Sequence, residues 1–265
     1  MPCSTVFLKM LYSKANTAFD RIEIANTADI LIIFAANSFM STLKFIEKAQ
    51  STFEAHSTTE RAPQMKAYMK DQFEFLGLSR PERNEIQKEL LPLFPINDAK
   101  TLEAIVRKLW KLKFREYHYL ALDILAKKRK LIPELSFDFL NFLVENNQWW
   151  DSIDTICSKV IGPYYLFHKQ QYKTDLKVWW ESENFWKRRV CIIFQLTFKD
   201  KTDLDFLTKR ILENSSSKEF FLQKAIGWAL REYSKTNPKW VIGFVKENEL
   251  KPLSRREALR LIGKE

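Results

Sequence analysis

The sequence predicts an all-α protein, a superhelix of stacked helix pairs, and three observations carry that prediction. A 35-residue period runs through the middle of the chain: Trp150 is followed by Phe185 and Phe220, and Asp154 by Arg189 and Lys224, with Tyr119 one period earlier. Phe185-Trp-Lys-Arg-Arg189 and Phe220-Phe-Leu-Gln-Lys224 thus repeat the helix start Trp150-Asp-Ser-Ile-Asp154. A fixed period of this size marks a helical solenoid, in which stacked repeats bury one continuous core. The chain has only 5 glycines, fewer than the turns of a sheet protein require. Finally, apolar residues recur at three- and four-residue spacing in runs of about 10–16 residues, each bounded by helix start and stop signals.

Taken in order, residues 1–39 differ from the rest. The run Ile30-Leu31-Ile32-Ile33-Phe34 is apolar but short, and no basic region or cleavage site marks a signal peptide. Met40 opens a segment of new character, so we expect Met40 to be the biological start, with 40–265 forming one domain. Ser57-Thr-Thr-Glu60, Ser79-Arg-Pro-Glu82 and Ser254-Arg-Arg-Glu257 each match the S-x-x-E capping box. Asp98 precedes the stripe Leu102, Ile105, Val106, Leu109, and a second run spans Phe114 to about Lys128. Pro133 is expected to open a helix through Leu143, and the Trp149–Ile161 helix to stop at Gly162-Pro163. Leu176–Trp180, Phe185–Phe198, Leu204–Leu212, Phe220–Tyr233 and Trp240–Val245 complete the series, with Asn237-Pro238 dividing the last two. Short connections and paired helices point to an α-α superhelix of about six HEAT-like pairs, its concave groove lined by the second helix of each pair.

Composition narrows the function. The net charge is +10 and the pI near 9.4, and the excess lies wholly in residues 40–265. A polyanionic partner, nucleic acid or an anionic surface, is the natural complement. Cys3, Cys157 and Cys191 include no CxxC pair, and His56, His118 and His168 show no metal-ligand spacing. A disulfide framework, a zinc site and any other metal or cofactor are therefore not expected, and a reducing cytoplasm is. No apolar run approaches the ~20 residues that span a membrane. Gly-rich phosphate loops and the G-x-S-x-G elbow are missing too.

One acid in a basic and aromatic row invites a chemical reading. In a helix, Trp150 and Asp154 share one face, and so do Lys224, Trp228 and Arg231. Lys187, Arg188 and Arg189 are consecutive. Cations that hold phosphates, interleaved with indoles that pack on sugars and bases, make a nucleic-acid surface. The plainer alternative pairs Asp154 with Arg189 across neighbouring helices and leaves Trp150 and Trp228 as core anchors.

The segments at 68–77 (Tyr-Met-Lys-Asp-Gln-Phe-Glu-Phe-Leu-Gly), 149–154 (Trp-Trp-Asp-Ser-Ile-Asp), 194–196 (Phe-Gln-Leu) and 223–233 (Gln-Lys-Ala-Ile-Gly-Trp-Ala-Leu-Arg-Glu-Tyr), followed by Lys-Thr-Asn-Pro at 235–238, resemble the AlkD family of bacterial DNA glycosylases. The likeness runs from about residue 40 to the C-terminus. It implies HEAT-like repeats and a monomeric base-excision enzyme, without cofactor, that removes cationic alkylpurines such as 3-methyladenine and 7-methylguanine from duplex DNA without flipping the base. By that likeness Asp154 is the catalytic acid, and Trp150 and Trp228 pack on the lesion's deoxyribose. Arg189 stands beside them, and Tyr68 approaches the backbone. We expect Lys187, Arg188, Lys224 and Arg231 to add phosphate contacts, and Arg189 and Lys224 to keep Asp154 ionised. Two other readings stand beside it: a HEAT-repeat protein that binds damaged DNA through the same residues without cutting it, and a protein-interaction scaffold, which would bind DNA weakly and without dependence on Trp150 and Trp228.

Overall fold

A computed structural model describes residues 27–262, with side chains from Met40 onward. Its helices are α1 (Thr27–Ala55), α2 (Ala62–Tyr68), α3 (Arg80–Leu90), α4 (Ala99–Trp110), α5 (Arg115–Lys127), α6 (Phe137–Glu145), α7 (Trp150–Ile156) and α8 (Gly162–Phe167). There follow α9 (Tyr172–Asp175), α10 (Lys177–Trp180), α11 (Phe185–Ile193), α12 (Leu204–Asn214), α13 (Phe220–Ser234), α14 (Pro238–Glu247) and α15 (Pro252–Ala258). Among the described residues the only extended pairing is a single bridge between Glu74 and Phe114. No described helix is long and apolar enough to cross a membrane.

The 35-residue period extends further than the sequence marks showed. Helices α3, α5, α7, α11 and α13 begin at Arg80, Arg115, Trp150, Phe185 and Phe220, each 35 residues after the one before. These second helices, with α15, form a row in which each packs on the next. Hydrogen bonds tie neighbouring repeats at nearly the same separation. Gln87 donates to Asp123 at 2.7 Å, the Trp110 indole to the Asn146 carbonyl at 3.0 Å, and the Trp179 indole to Asn141 at 2.7 Å. Between the rows lies one apolar cluster that includes Leu102, Leu109, Leu120, Phe139, Ile153, Val190, Ile211, Leu222 and Leu230, none of them measurably exposed. Burying one such side chain is worth about 1.5–3 kcal/mol, so the stacked cluster contributes most to holding the superhelix together.

Local signals account for several element boundaries. Ser79 and Glu82 form the expected capping box of α3, and Asp98 caps α4 through the Thr101 amide at 2.8 Å. Asn237 caps α14 through the Trp240 amide. The other two boxes do not form. Ser57 and Glu60 lie in the turn between α1 and α2, where Glu60 is held by the Thr58 hydroxyl instead. Ser254 sits inside α15 and donates to the Gln223 carbonyl, while Glu257 pairs with cations of α13.

Two proline predictions also fail for a physical reason. Pro133 lies within the 3-10 turn Arg129–Glu134, and α6 opens later, capped by Ser136. Gly162-Pro163 does not stop its helix. The backbone widens into a π-turn at Cys157–Ile161, with the Gly162 amide bonded to the Cys157 carbonyl, and continues into α8. Such a turn shifts the bonding register ahead of Pro163, which has no amide to contribute. Gly162 is there for close approach: a Cβ would stand 2.8 Å from the Phe194 carbonyl. Gly77, with φ of +85°, closes the loop before α3. Gly263 and residues 1–26 lie outside the described residues, and α1 passes unbroken through Met40.

Candidate functional site

The site is built on the first turn of α7. Trp149 caps the helix in an extended conformation and turns inward, where Trp186 and Phe221 ring it at centroid distances of 5.8 and 5.5 Å. Trp150, the next residue, is likewise half-buried and packed on the core, but it meets a different ring. Its indole meets the Tyr68 ring edge-on, at 6.0 Å and 79°. Tyr68 ends α2 and is 68% exposed, so two aromatic rings far apart in the chain form one ledge.

One turn beyond Trp150, Asp154 is gripped by Arg189 of α11. The guanidinium Nε and Nη2 each donate to a different carboxylate oxygen at 2.9 Å, and Nη1 donates to the Phe221 carbonyl. The arginine side chain is 4% exposed and the aspartate 21%, so the cation sits behind and the carboxylate faces out. Burial pushes the Asp154 carboxyl above the usual carboxylate range, against the pull of Arg189, and the nearby Asp151 pushes the same way. The expectation that cations hold it down is thus corrected. Arg189 does lower it, but desolvation is the larger effect, and Lys224 is occupied elsewhere.

Asp151 is gripped in the same manner from the other side. Arg115 of α5 donates to it through Nη2 at 2.6 Å and Nε at 3.1 Å, and the Tyr119 hydroxyl donates at 2.8 Å. Tyr119, read from the period as a rung beside Asp154, therefore serves Asp151. The remaining cations divide. Lys187 is bound to Glu145 at 2.6 Å. Lys224 and Arg231 share a face of α13, as expected, and both bind Glu257 of α15. Arg188 has no ion-pair partner among the described residues, which leaves it the best placed of the three consecutive cations to meet an outside anion. Trp228 is half-buried on α13, packed on the core. Among the described residues no three His, Cys, Asp or Glu side chains come together as a metal-holding group.

A family model described as DNA alkylation repair enzyme matches residues 49–262. The chain belongs to the DNA alkylation repair enzyme family. Among solved structures, it is similar to "Predicted DNA alkylation repair enzyme from Enterococcus faecalis", at 37% identity and a TM-score of 0.70, over 79% of this chain and 98% of that one. No curated protein matches. Membership of this family supports a role in DNA repair.

In this DNA alkylation repair protein, several residues that build the site escaped sequence reasoning. Arg115 and Asp151 are one such pair. Its separation of 36 residues nearly repeats that of Asp154 and Arg189, which is the signal that would have found it. Glu116 is another: wholly buried, its carboxylate accepts the amides of Leu76, Gly77 and Leu78 at 2.9–3.1 Å and so pins the loop that follows Tyr68. Phe73 of that loop lies flat under the Arg115 guanidinium at 3.7 Å.

Proposed function

We propose that the protein is a monofunctional DNA N-glycosylase that hydrolyses the glycosidic bond of cationic N3- or N7-alkylated purines, 3-methyladenine and 7-methylguanine, in duplex DNA. The observation that supports it best is an outward-facing carboxylate beside an aromatic ledge, with its arginine held behind it. An alkylated purine already carries a positive charge, so it leaves as a neutral base and no general acid is required. As the C1′–N bond breaks, its electron pair goes to the base and positive charge moves to the sugar. A fixed carboxylate where that charge develops is worth ~3–4 kcal/mol. Arg189 takes one lone pair of each Asp154 oxygen, and the other remains free on the exposed side.

Water then bonds to C1′, and its proton passes to Asp154 and on to solvent. Burial makes that carboxylate a better acceptor than an ordinary aspartate. Trp150 and Trp228, placed against the deoxyribose, add cation–π attraction on the order of 1–2 kcal/mol that grows as the sugar becomes cationic. Tyr68 and Arg188 meet the DNA backbone, and the base stays in the stack because the contacts fall on sugar and phosphate. One chain suffices for the site, so we expect a monomer, with 40–265 as its functional unit.

The bidentate Asp154–Arg189 pair favours one other reading, a protein that binds damaged duplex without cutting it, with Asp154 purely structural. Release of 7-methylguanine and 3-methyladenine from methylated duplex DNA separates the two. Release by wild type, and its loss in Asp154→Asn with DNA binding retained, is the glycosylase outcome. Binding by both proteins without release leaves the damage-binding reading.

A further inference from the structure

The helix that carries Trp150 and Asp154 has no ordinary cap. Its N-cap position is Trp149, whose side chain makes no capping bond. The first turn is held from α5 instead. Arg115 is wholly buried and spends its guanidinium on this one place: besides Asp151 it donates to the Ser152 hydroxyl at 2.8 Å, the Asn147 carbonyl at 3.0 Å and His118 Nδ1 at 3.1 Å. Its other face covers Phe73, in the loop that follows Tyr68. One side chain thus braces both halves of the Tyr68–Trp150 ledge.

Asp151 is the point at which that brace acts on α7. It receives three donors, and its side chain is only 9% exposed, too little to serve DNA directly. We propose that Asp151 is a positioning residue for the glycosylase reaction: held by Arg115 and Tyr119, it sets the first turn of α7 so that Trp150 and Asp154 face the deoxyribose together. The inference rests on the glycosylase reading. Such a brace has leverage, because a displacement of about 1 Å at the reacting group costs on the order of a hundredfold in rate.

Asp151 also acts on Asp154 through charge. The groups facing Asp154 are Arg189 from α11 and Asp151 from its own helix, with the Cys157 thiol one turn on. Removing the Asp151 charge removes an influence that raises the Asp154 carboxyl.

The test is base release from methylated duplex by the full chain across a pH series, for wild type, Asp151→Asn and Tyr119→Phe. For Asp151→Asn, kcat is expected to fall about ten- to a hundredfold with KM little changed, and the acid limb of the profile to move to lower pH. The displaced limb reports the lost charge, and the fall in kcat at little-changed KM is what a merely structural anchor would not produce. Tyr119→Phe removes a single donor and leaves the packing in place, so it remains informative should Asp151→Asn not fold. Its kcat is expected to fall about threefold with the acid limb unmoved. An active wild type with both variants at full kcat overturns the inference, whether or not the limb moves. A wild type that releases no base at any pH defeats the glycosylase reading itself, and this inference with it.

Discussion

Asp154 and Arg189 stand 35 residues apart, one repeat of the superhelix, and meet through two parallel hydrogen bonds of 2.9 Å. The pair is asymmetric: the arginine is buried and also tied to the Phe221 carbonyl, while the carboxylate keeps an open side. Replacing the cation is therefore more harmful than it looks on charge alone. Arg189→Met leaves a mostly buried carboxylate without its partner, and breaking such a pair costs about 3–5 kcal/mol when fully buried. Because Asp154 is partly exposed, we expect about 2–3 kcal/mol by urea denaturation. The Asp154 carboxyl should rise further, so the acid limb of base release moves to higher pH, opposite to Asp151→Asn. A limb that does not move would show that Asp154 does not set the profile.

His118 makes a prediction about stability against pH. Burial first, and then Arg115, lower its folded pKa from 6.5 to about 4. Arg115 donates to Nδ1, so the neutral ring carries its proton on Nε2 and donates to the Leu112 carbonyl at 3.1 Å. With the folded value below the unfolded one, the unfolded chain takes up the proton first. The stability from neutral His118 is complete above pH 6.5 and is lost as pH falls toward about 4. Its slope approaches ~1.4 kcal/mol per pH unit within that window. His118→Gln should be less stable than wild type at pH 7, with the gap narrowing as pH falls. A gap that stays constant would mean that His118 is not held neutral.

The two tryptophans at the start of α7 show what was legible in the sequence and what was not. The period located the helix start to the residue, because a solenoid must repeat its core spacing to keep stacking. It could not say which rings each indole meets. Trp149 and Trp150 are chemically the same, and only the cage of Trp186 and Phe221 separates them. The alternative pairing of Asp154 with Arg189 was legible, since both lie on the period. Glu257 was not, because it fitted a capping box equally well, and only the packing of α15 on α13 decides where its carboxylate goes. The loop at 69–78 was opaque for a similar reason. Its shape comes from the buried Glu116, a contact made across about 40 residues.

Trp150 and Trp228 should separate rate from affinity. If both indoles face the sugar as it becomes cationic, each alanine variant loses transition-state stabilisation of about 1–2 kcal/mol, or roughly five- to thirtyfold in kcat. Tyr68→Ala removes an exposed ring that steadies Trp150 and should weaken duplex binding more than kcat. Single-turnover release at saturating enzyme gives the first quantity, and titration of methylated duplex gives the second. Equal effects on both quantities for Trp150→Ala would place that ring in binding alone.

Glu257 holds Lys224 at 2.9 Å and also binds Arg231, and these two cations hold the Glu257 carboxyl below its usual range. A cation held this way must give up its carboxylate before it can meet a phosphate fully. Glu257→Gln removes the competitor while Ser254 still donates to the Gln223 carbonyl, so α15 stays docked on α13. We expect tighter duplex binding at low salt. Each phosphate newly neutralised adds about 0.9 to the slope of log affinity against log salt, so the slope should steepen by up to about 2. The single-turnover rate should be unchanged, because neither cation is part of the Asp154–Arg189 pair. Binding isotherms of wild type and Glu257→Gln from low to moderate salt decide the matter. Parallel lines would place Lys224 and Arg231 outside the DNA contact and make their bond to Glu257 a clasp for the last repeat.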